Sequence, residues 1–95
     1  MKIVWSPESR DDLAALHAYI SHTDRQAALA TVKRIVSLVE ENLPRFPEIG
    51  RPGRVPGTRE LIVPGTPYIV PYRVSGQFIE IARVYHAARR WPNFL

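Results

Sequence analysis

The sequence predicts an α+β fold: an N-terminal strand, then an αα hairpin packed on one face of a mainly antiparallel four-stranded sheet. Three observations predict it. Between Gly57 and Pro92, three runs rich in β-branched and aromatic residues (58–63, 68–74 and 78–86) are separated by Pro64-Gly65-Thr66-Pro67 and by Ser75-Gly76. Such runs with such turns read as an antiparallel meander. Ahead of them, two segments repeat apolar residues at helical spacing. The third observation is the short apolar run Ile3-Val4-Trp5 at the start of the chain, which supplies a first strand.

Taken in order, Ser6-Pro7-Glu8 is a helix start, with serine at the N-cap, proline at the first helical position and a carboxylate in the first turn. Leu13, Leu16, His17 and Ile20 then lie at i, i+3, i+4 and i+7, one stripe for the sheet. His22-Thr23-Asp24 breaks the helix, and Thr23 with Gln26 fits a capping box for a second one. The second helix carries Ala28, Val32, Ile35, Val36, Val39 and Leu43 on one face and is ended by Pro44. Two such helices joined by a short turn form a hairpin that must bury its stripe. The segment 44–57 is dense in proline and glycine and carries Arg45, Arg51 and Arg54, so it reads as an ordered surface loop. In the last run, Ile79, Ile81, Arg83 and Tyr85 alternate with Glu80, Ala82, Val84 and His86. Pro71 cannot donate to a ladder and implies a bulge or an unpaired position in the middle run.

At 95 residues the chain is expected to form a single domain, 1–95, with one thin core. There is no cysteine, which excludes a disulfide scaffold and a thiolate metal site. No export signal and no membrane-length apolar run is visible, so a cytoplasmic protein without membrane contact is expected. Neither His17 nor His22 has a metal-ligand neighbour at suitable spacing, and both read as packing residues. Net charge is +4, and it is segregated. Up to Pro44, five basic residues meet six acidic ones; from Arg45 onward, eight arginines meet three glutamates. A one-sided positive field suits a polyanion or an acidic protein segment.

Metal-free cleavage of RNA needs a base for the ribose 2′-hydroxyl, an acid for the leaving oxygen and cations around the phosphorane. His86, with an unperturbed pKa near neutrality, is the natural acid or base. Arg59, Arg73 and Arg83 are positioned along the strands to clamp phosphate, Glu60 is a second proton carrier, and Tyr72 or Tyr85 offers a ring for a base. On this reading His86, Arg83, Arg73 and Glu60 are the catalytic candidates. Arg51, Arg54, Arg59, Tyr72, Tyr85, Arg89 and Arg90 are the candidates for binding the target. A non-catalytic nucleic-acid-binding module is a further reading, although the aromatic residues are few and do not form stacking platforms on successive strands.

IVWSPES at the start, a Gly/Pro/Arg loop, then RELIV, YIVPYRV and IEIARVYHAAR follow one another in an order that resembles the RelE/ParE superfamily of bacterial type II toxins. The resemblance covers nearly the whole chain. It implies a toxin with no cofactor, neutralised by a cognate antitoxin whose disordered acidic segment folds onto it. RelE-like members are implied to cleave messenger RNA in the ribosomal A site, and the YoeB-like branch ends its last strand on a histidine as this chain does at His86. Those nucleases carry an arginine near the start of the middle strand, where Tyr68 stands here. ParE-like members are implied to poison DNA gyrase without a nuclease site. Translation is the slightly preferred target and gyrase the alternative.

Overall fold

The computed structural model describes residues 1–92 and 94–95. Its elements are β1 (Lys2–Trp5), α1 (Pro7–Ser21), α2 (Arg25–Asn42), β2 (Arg51–Pro52), β3 (Arg59–Ile62), β4 (Tyr68–Ser75), β5 (Phe78–Ile81) and β6 (Tyr85–His86). The sheet runs β1-β5-β4-β3-β2, and β6 also pairs with β4. β1 lies parallel to β5, while every other pairing is antiparallel. The architecture is the expected α+β one, with six strands among the described residues where four were read. One extra strand comes from the loop, where Arg51-Pro52 pairs with Arg59-Glu60. The other arises because the last run splits in two.

Ser6 caps α1, accepting from the Ser9 amide at 3.0 Å, and Pro7 opens the helix. The cap of α2 is Asp24 instead of Thr23: the Asp24 carboxylate accepts from the Ala27 amide at 2.9 Å. Thr23 turns its hydroxyl back to the Ile20 carbonyl, so no capping box forms. A carboxylate one residue closer to the helix reaches the free amide better and also suits its positive end. His17 lies exposed, off the expected stripe, beside the Ser21 hydroxyl at 3.5 Å.

The core lies between the hairpin and one face of the sheet. Leu16 from α1, Ile35 and Val39 from α2 and Leu43 at its C-cap meet Leu61, Val63, Tyr68, Val70, Tyr72, Ile79 and Ile81. Two turns hold the meander. Val63-Pro64-Gly65-Thr66 closes with the Thr66 amide on the Val63 carbonyl at 3.2 Å, proline second and glycine third at φ 77°, the residues a type II turn requires. Gly76, at φ 57°, starts the two-residue loop between β4 and β5.

Pro71 is fully buried in β4, the central strand. In an extended residue, N and C=O point to the same side of the strand. The Pro71 carbonyl accepts from the Ala82 amide at 3.0 Å, so its nitrogen faces the gap between β5 and β6. The missing donor coincides with the place where the neighbouring strand is interrupted, and the Ala82 carbonyl opposite accepts from the Ser6 hydroxyl at 2.8 Å instead.

Candidate functional site

The interruption between β5 and β6 decides where the polar residues go. Up to Ile81, odd-numbered residues of the last run enter the core. Beyond it, Val84 joins the core and His86 pairs opposite the buried Tyr68, while Tyr85 pairs opposite Ile69 on the far face. The face parity has flipped, as an inserted residue in a strand makes it do. A single alternating strand from 78 to 86 was expected, and that expectation is corrected here. The break is held by α1. The Asp12 carboxylate accepts from the Val84 amide at 2.9 Å and grips the Arg83 guanidinium at 2.8 and 2.9 Å.

Arg83 is thus engaged by a carboxylate from the helical half. Its hydrogen bonds with Asp12 push its pKa further up, against the effect of burial. Glu60 is 2% exposed on the sheet face away from the helices. It accepts from Arg51 Nε and Nη2 at 3.0 and 2.9 Å and from the Arg54 amide at 2.9 Å, with Arg54 Nε a further 3.5 Å contact. A carboxylate so saturated serves as an internal anchor for the loop and β2. Arg73 shares this far face and pairs with Glu80 at 3.3 Å.

His86 stands on the other side. Pairing opposite Tyr68, it meets that ring edge-on at 5.6 Å between centroids, and its Nδ1 accepts from the Ala88 amide at 3.1 Å. It borders a groove of about 300 Å³ formed with Asp12, Ala15, Tyr19 and Arg89. Glu60 pairs with Pro71 and His86 with Tyr68, three residues apart on β4, so the two groups belong to opposite faces. The sequence-predicted catalytic quartet of His86, Arg83, Arg73 and Glu60 is not brought into one cluster.

Tyr72 is not a stacking platform. It is fully buried, its hydroxyl donating to the Pro47 carbonyl at 2.8 Å and accepting from the Gly50 amide at 2.9 Å. Arg59 donates to the Gly50 carbonyl at 2.9 Å and lies on the same face as Tyr72, so both tie the loop down. Tyr85 is 1% exposed. Arg83 and Arg89 lie over its ring, at 4.7 and 5.3 Å from the centroid, and Trp91 packs edge-on against it at 4.8 Å. Trp91 is in turn covered by the Arg54 guanidinium at 3.8 Å. Arg90 borders the same cleft. What the geometry does assemble is a cationic and aromatic far face built from Arg51, Arg54, Arg73, Arg83 and Arg89 around Tyr85 and Trp91.

Sequence reasoning missed Asp12 and Trp91. Asp12 gave no local signal, because its partner is 71 residues away; Trp91 gave a weak one, an aromatic residue directly after Arg89-Arg90. Among the described residues, no three of His, Asp and Glu gather as metal ligands, and no helix is long and apolar enough to cross a membrane.

Residues 3–91 match the family model of the ParE toxin of the type II toxin-antitoxin system, parDE. The chain belongs to the ParE toxin family. Among relatives of this ParE-family chain, the Y4kP protein of Sinorhizobium fredii, named as a toxin, is 42% identical over 94 residues, spanning 99% of this chain and 96% of the relative. Toxin RelE2 of Caulobacter vibrioides is 31% identical over 88 residues, spanning 93% and 97%. In structure, the chain is similar to one from the chromosomal ParDE TA system of P. aeruginosa, with a TM-score of 0.82 and 32% identity over 90% of this chain and 95% of that one. The superfamily resemblance read from the strand motifs is thereby established, as is the hairpin-on-sheet fold.

Proposed function

We propose that this ParE-family toxin acts in the cytoplasm by inhibiting DNA gyrase through binding, without a nucleolytic step, and that a cognate antitoxin neutralises it. The observation that carries the reading is the separation of the acid–base groups. Glu60 is saturated by Arg51 and Arg54 on the far face, Arg83 is held by Asp12, and His86 lies on the helix side. General acid–base cleavage requires those groups within reach of one phosphate. A cationic, aromatic far face with no such convergence is instead suited to gripping a macromolecular partner.

The test is induced expression with labelled amino acid and labelled thymidine followed side by side, together with supercoiling by purified gyrase. DNA synthesis is expected to fall first, with translation spared and supercoiling inhibited. His86→Gln is expected to keep the toxicity. A prompt fall in protein synthesis, with cuts in ribosome-bound message lost in His86→Gln, would overturn the proposal. That outcome would favour the translation reading, which the 31% identity to a protein named RelE2 and the exposed ring of His86 support.

The antitoxin follows from charge and family together. A short neighbouring gene encoding a DNA-binding fold with an acidic tail is expected, and its product should suppress toxicity and raise the melting temperature of this chain as it binds. Absence of both such a gene and any toxicity would count against the pairing.

A further inference from the structure

His86 is the candidate group that the far face leaves aside, and it does not stand alone. The groove it borders, of about 300 Å³, gathers side chains from three separate parts of the chain: Tyr19 from α1, Tyr68 from the start of β4, and His86 with Arg89 from the end of the last run. Its floor includes Leu16 and Val84, 7% and 3% exposed, and its rim carries the Tyr19 ring, 77% exposed. Burial first, and then the neighbouring Tyr19 phenol, push the Tyr68 phenol above its ordinary value, so the two hydroxyls lie near each other. An apolar slot edged by three rings is the result.

The charges in the groove are unevenly engaged. Asp12 gives both carboxylate oxygens to Arg83 and the Val84 amide, so its own charge is already compensated. Arg89 pairs with no carboxylate among the described residues. The polarity of His86 is fixed by its backbone contact. Its Nδ1 accepts from the Ala88 amide at 3.1 Å, and a ring nitrogen that accepts carries no proton, so in the neutral ring the proton sits on Nε2. Nε2–H and the Arg89 guanidinium are both donors that suit an anionic oxygen.

We propose that this groove is a binding site for one nucleotide unit, with the base lying over Leu16 and Val84 among the rings of Tyr19, Tyr68 and His86 and the phosphate held by Arg89 and His86 Nε2–H. Aromatic rings accept any base through its π face, and a guanidinium beside an N–H suits a phosphate. The volume lies at the small end for ligand sites, which fits a single pyrimidine nucleotide and excludes a base pair. With Nδ1 engaged by Ala88 and Glu60 on the opposite face, the site holds phosphate without cutting it. The inference uses none of the far-face contacts that carry the reading above, so either can fail without the other.

Thymidine monophosphate is the probe, titrated into the isotope-labelled full chain and followed by amide chemical shifts. Saturable shifts are expected at Ala15, Leu16, Val84 and Ala88, with thymidine and inorganic phosphate each binding about tenfold more weakly than the nucleotide. Arg89→Ala is expected to weaken the nucleotide about tenfold, as loss of one charge-assisted hydrogen bond does, and to leave thymidine unchanged. Tyr19→Ala is expected to weaken both. The two side chains are exposed, and an unmoved Glu60 amide reports that each variant keeps its fold. A short oligothymidylate identifies the source of the nucleotide: binding tighter than the mononucleotide supports a site for single-stranded nucleic acid, and equal or weaker binding supports one for a free nucleotide. Shifts confined to the far face around Arg54 and Arg73, no saturation, equal binding of nucleotide and inorganic phosphate, or an affinity unmoved by both substitutions would overturn the proposal.

Discussion

Glu60 and Asp12 are the two carboxylates that hold the arginines of the sheet half in place, and they differ in how far substitution should hurt. Replacing Glu60 by alanine removes the acceptor for Arg51 and for the Arg54 amide. Losing one partner of a wholly buried pair costs about 3–5 kcal/mol. Both arginine side chains here are about half exposed and regain water, so a smaller loss of about 2 kcal/mol is expected in urea unfolding. Asp12→Ala strands the Val84 amide as well as Arg83, in a position where Val84 is 3% exposed. A loss of about 2–3 kcal/mol is expected, with hydrogen exchange at Val84 rising ahead of that in β6 (Tyr85–His86). Unchanged exchange there would mean that α1 does not hold the strand break. Arg51 and Glu60 were both legible as site candidates, yet their mutual pairing was not. A sequence shows that two charges exist and leaves open which solvent or side chain satisfies them.

Elements were read most reliably where the signal is carried by neighbours along the chain. Ser6-Pro7 starts α1 as its residue types require, and the glycines at 65 and 76 take the positive φ that their turns need. The start of α2 was read one residue early, and substitution separates the two candidates. Asp24→Ala is expected to cost about 1 kcal/mol through the lost cap, whereas Thr23→Ala, which loses only an exposed hydroxyl bond to Ile20, should change the melting temperature little. Equal effects would argue against Asp24 as the cap. The strand split after Ile81 was hidden for a different reason. Its cause is a carboxylate on α1 competing for the Val84 amide, and no pattern within residues 78–86 encodes that competitor.

At the scale of the whole molecule, the buried tyrosines set an alkaline limit. Burial raises Tyr68, Tyr72 and Tyr85 above the ordinary phenol value, with Arg83 partly opposing this at Tyr85. A raised value means that the folded chain prefers the neutral phenol. Stability is therefore intact below about pH 10 and falls as pH climbs from there through the raised values. Urea midpoints measured across that range should show the decline, and Tyr72→Phe should flatten part of it while losing the hydroxyl that pins Pro47 and Gly50. A profile unchanged between wild type and Tyr72→Phe would exclude this residue as a source of the limit.

By itself, the sequence determined the first strand, the helix hairpin, the three main runs of the meander with their turns and the concentration of positive charge in the C-terminal half. Each of these depends on residue types at short spacing, where propensity and periodicity act directly. Tertiary structure alone decided which face each charged residue occupies and whom it meets. Asp12 and Arg83 are 71 residues apart, and the break they hold, residues 82–84, shifts the register by one residue and sends His86 toward the helices and Tyr85 toward the far face. Because side chains alternate with period two, a single extra residue reverses every assignment beyond it. That reversal separates the candidate catalytic groups and leaves a cationic face for a partner.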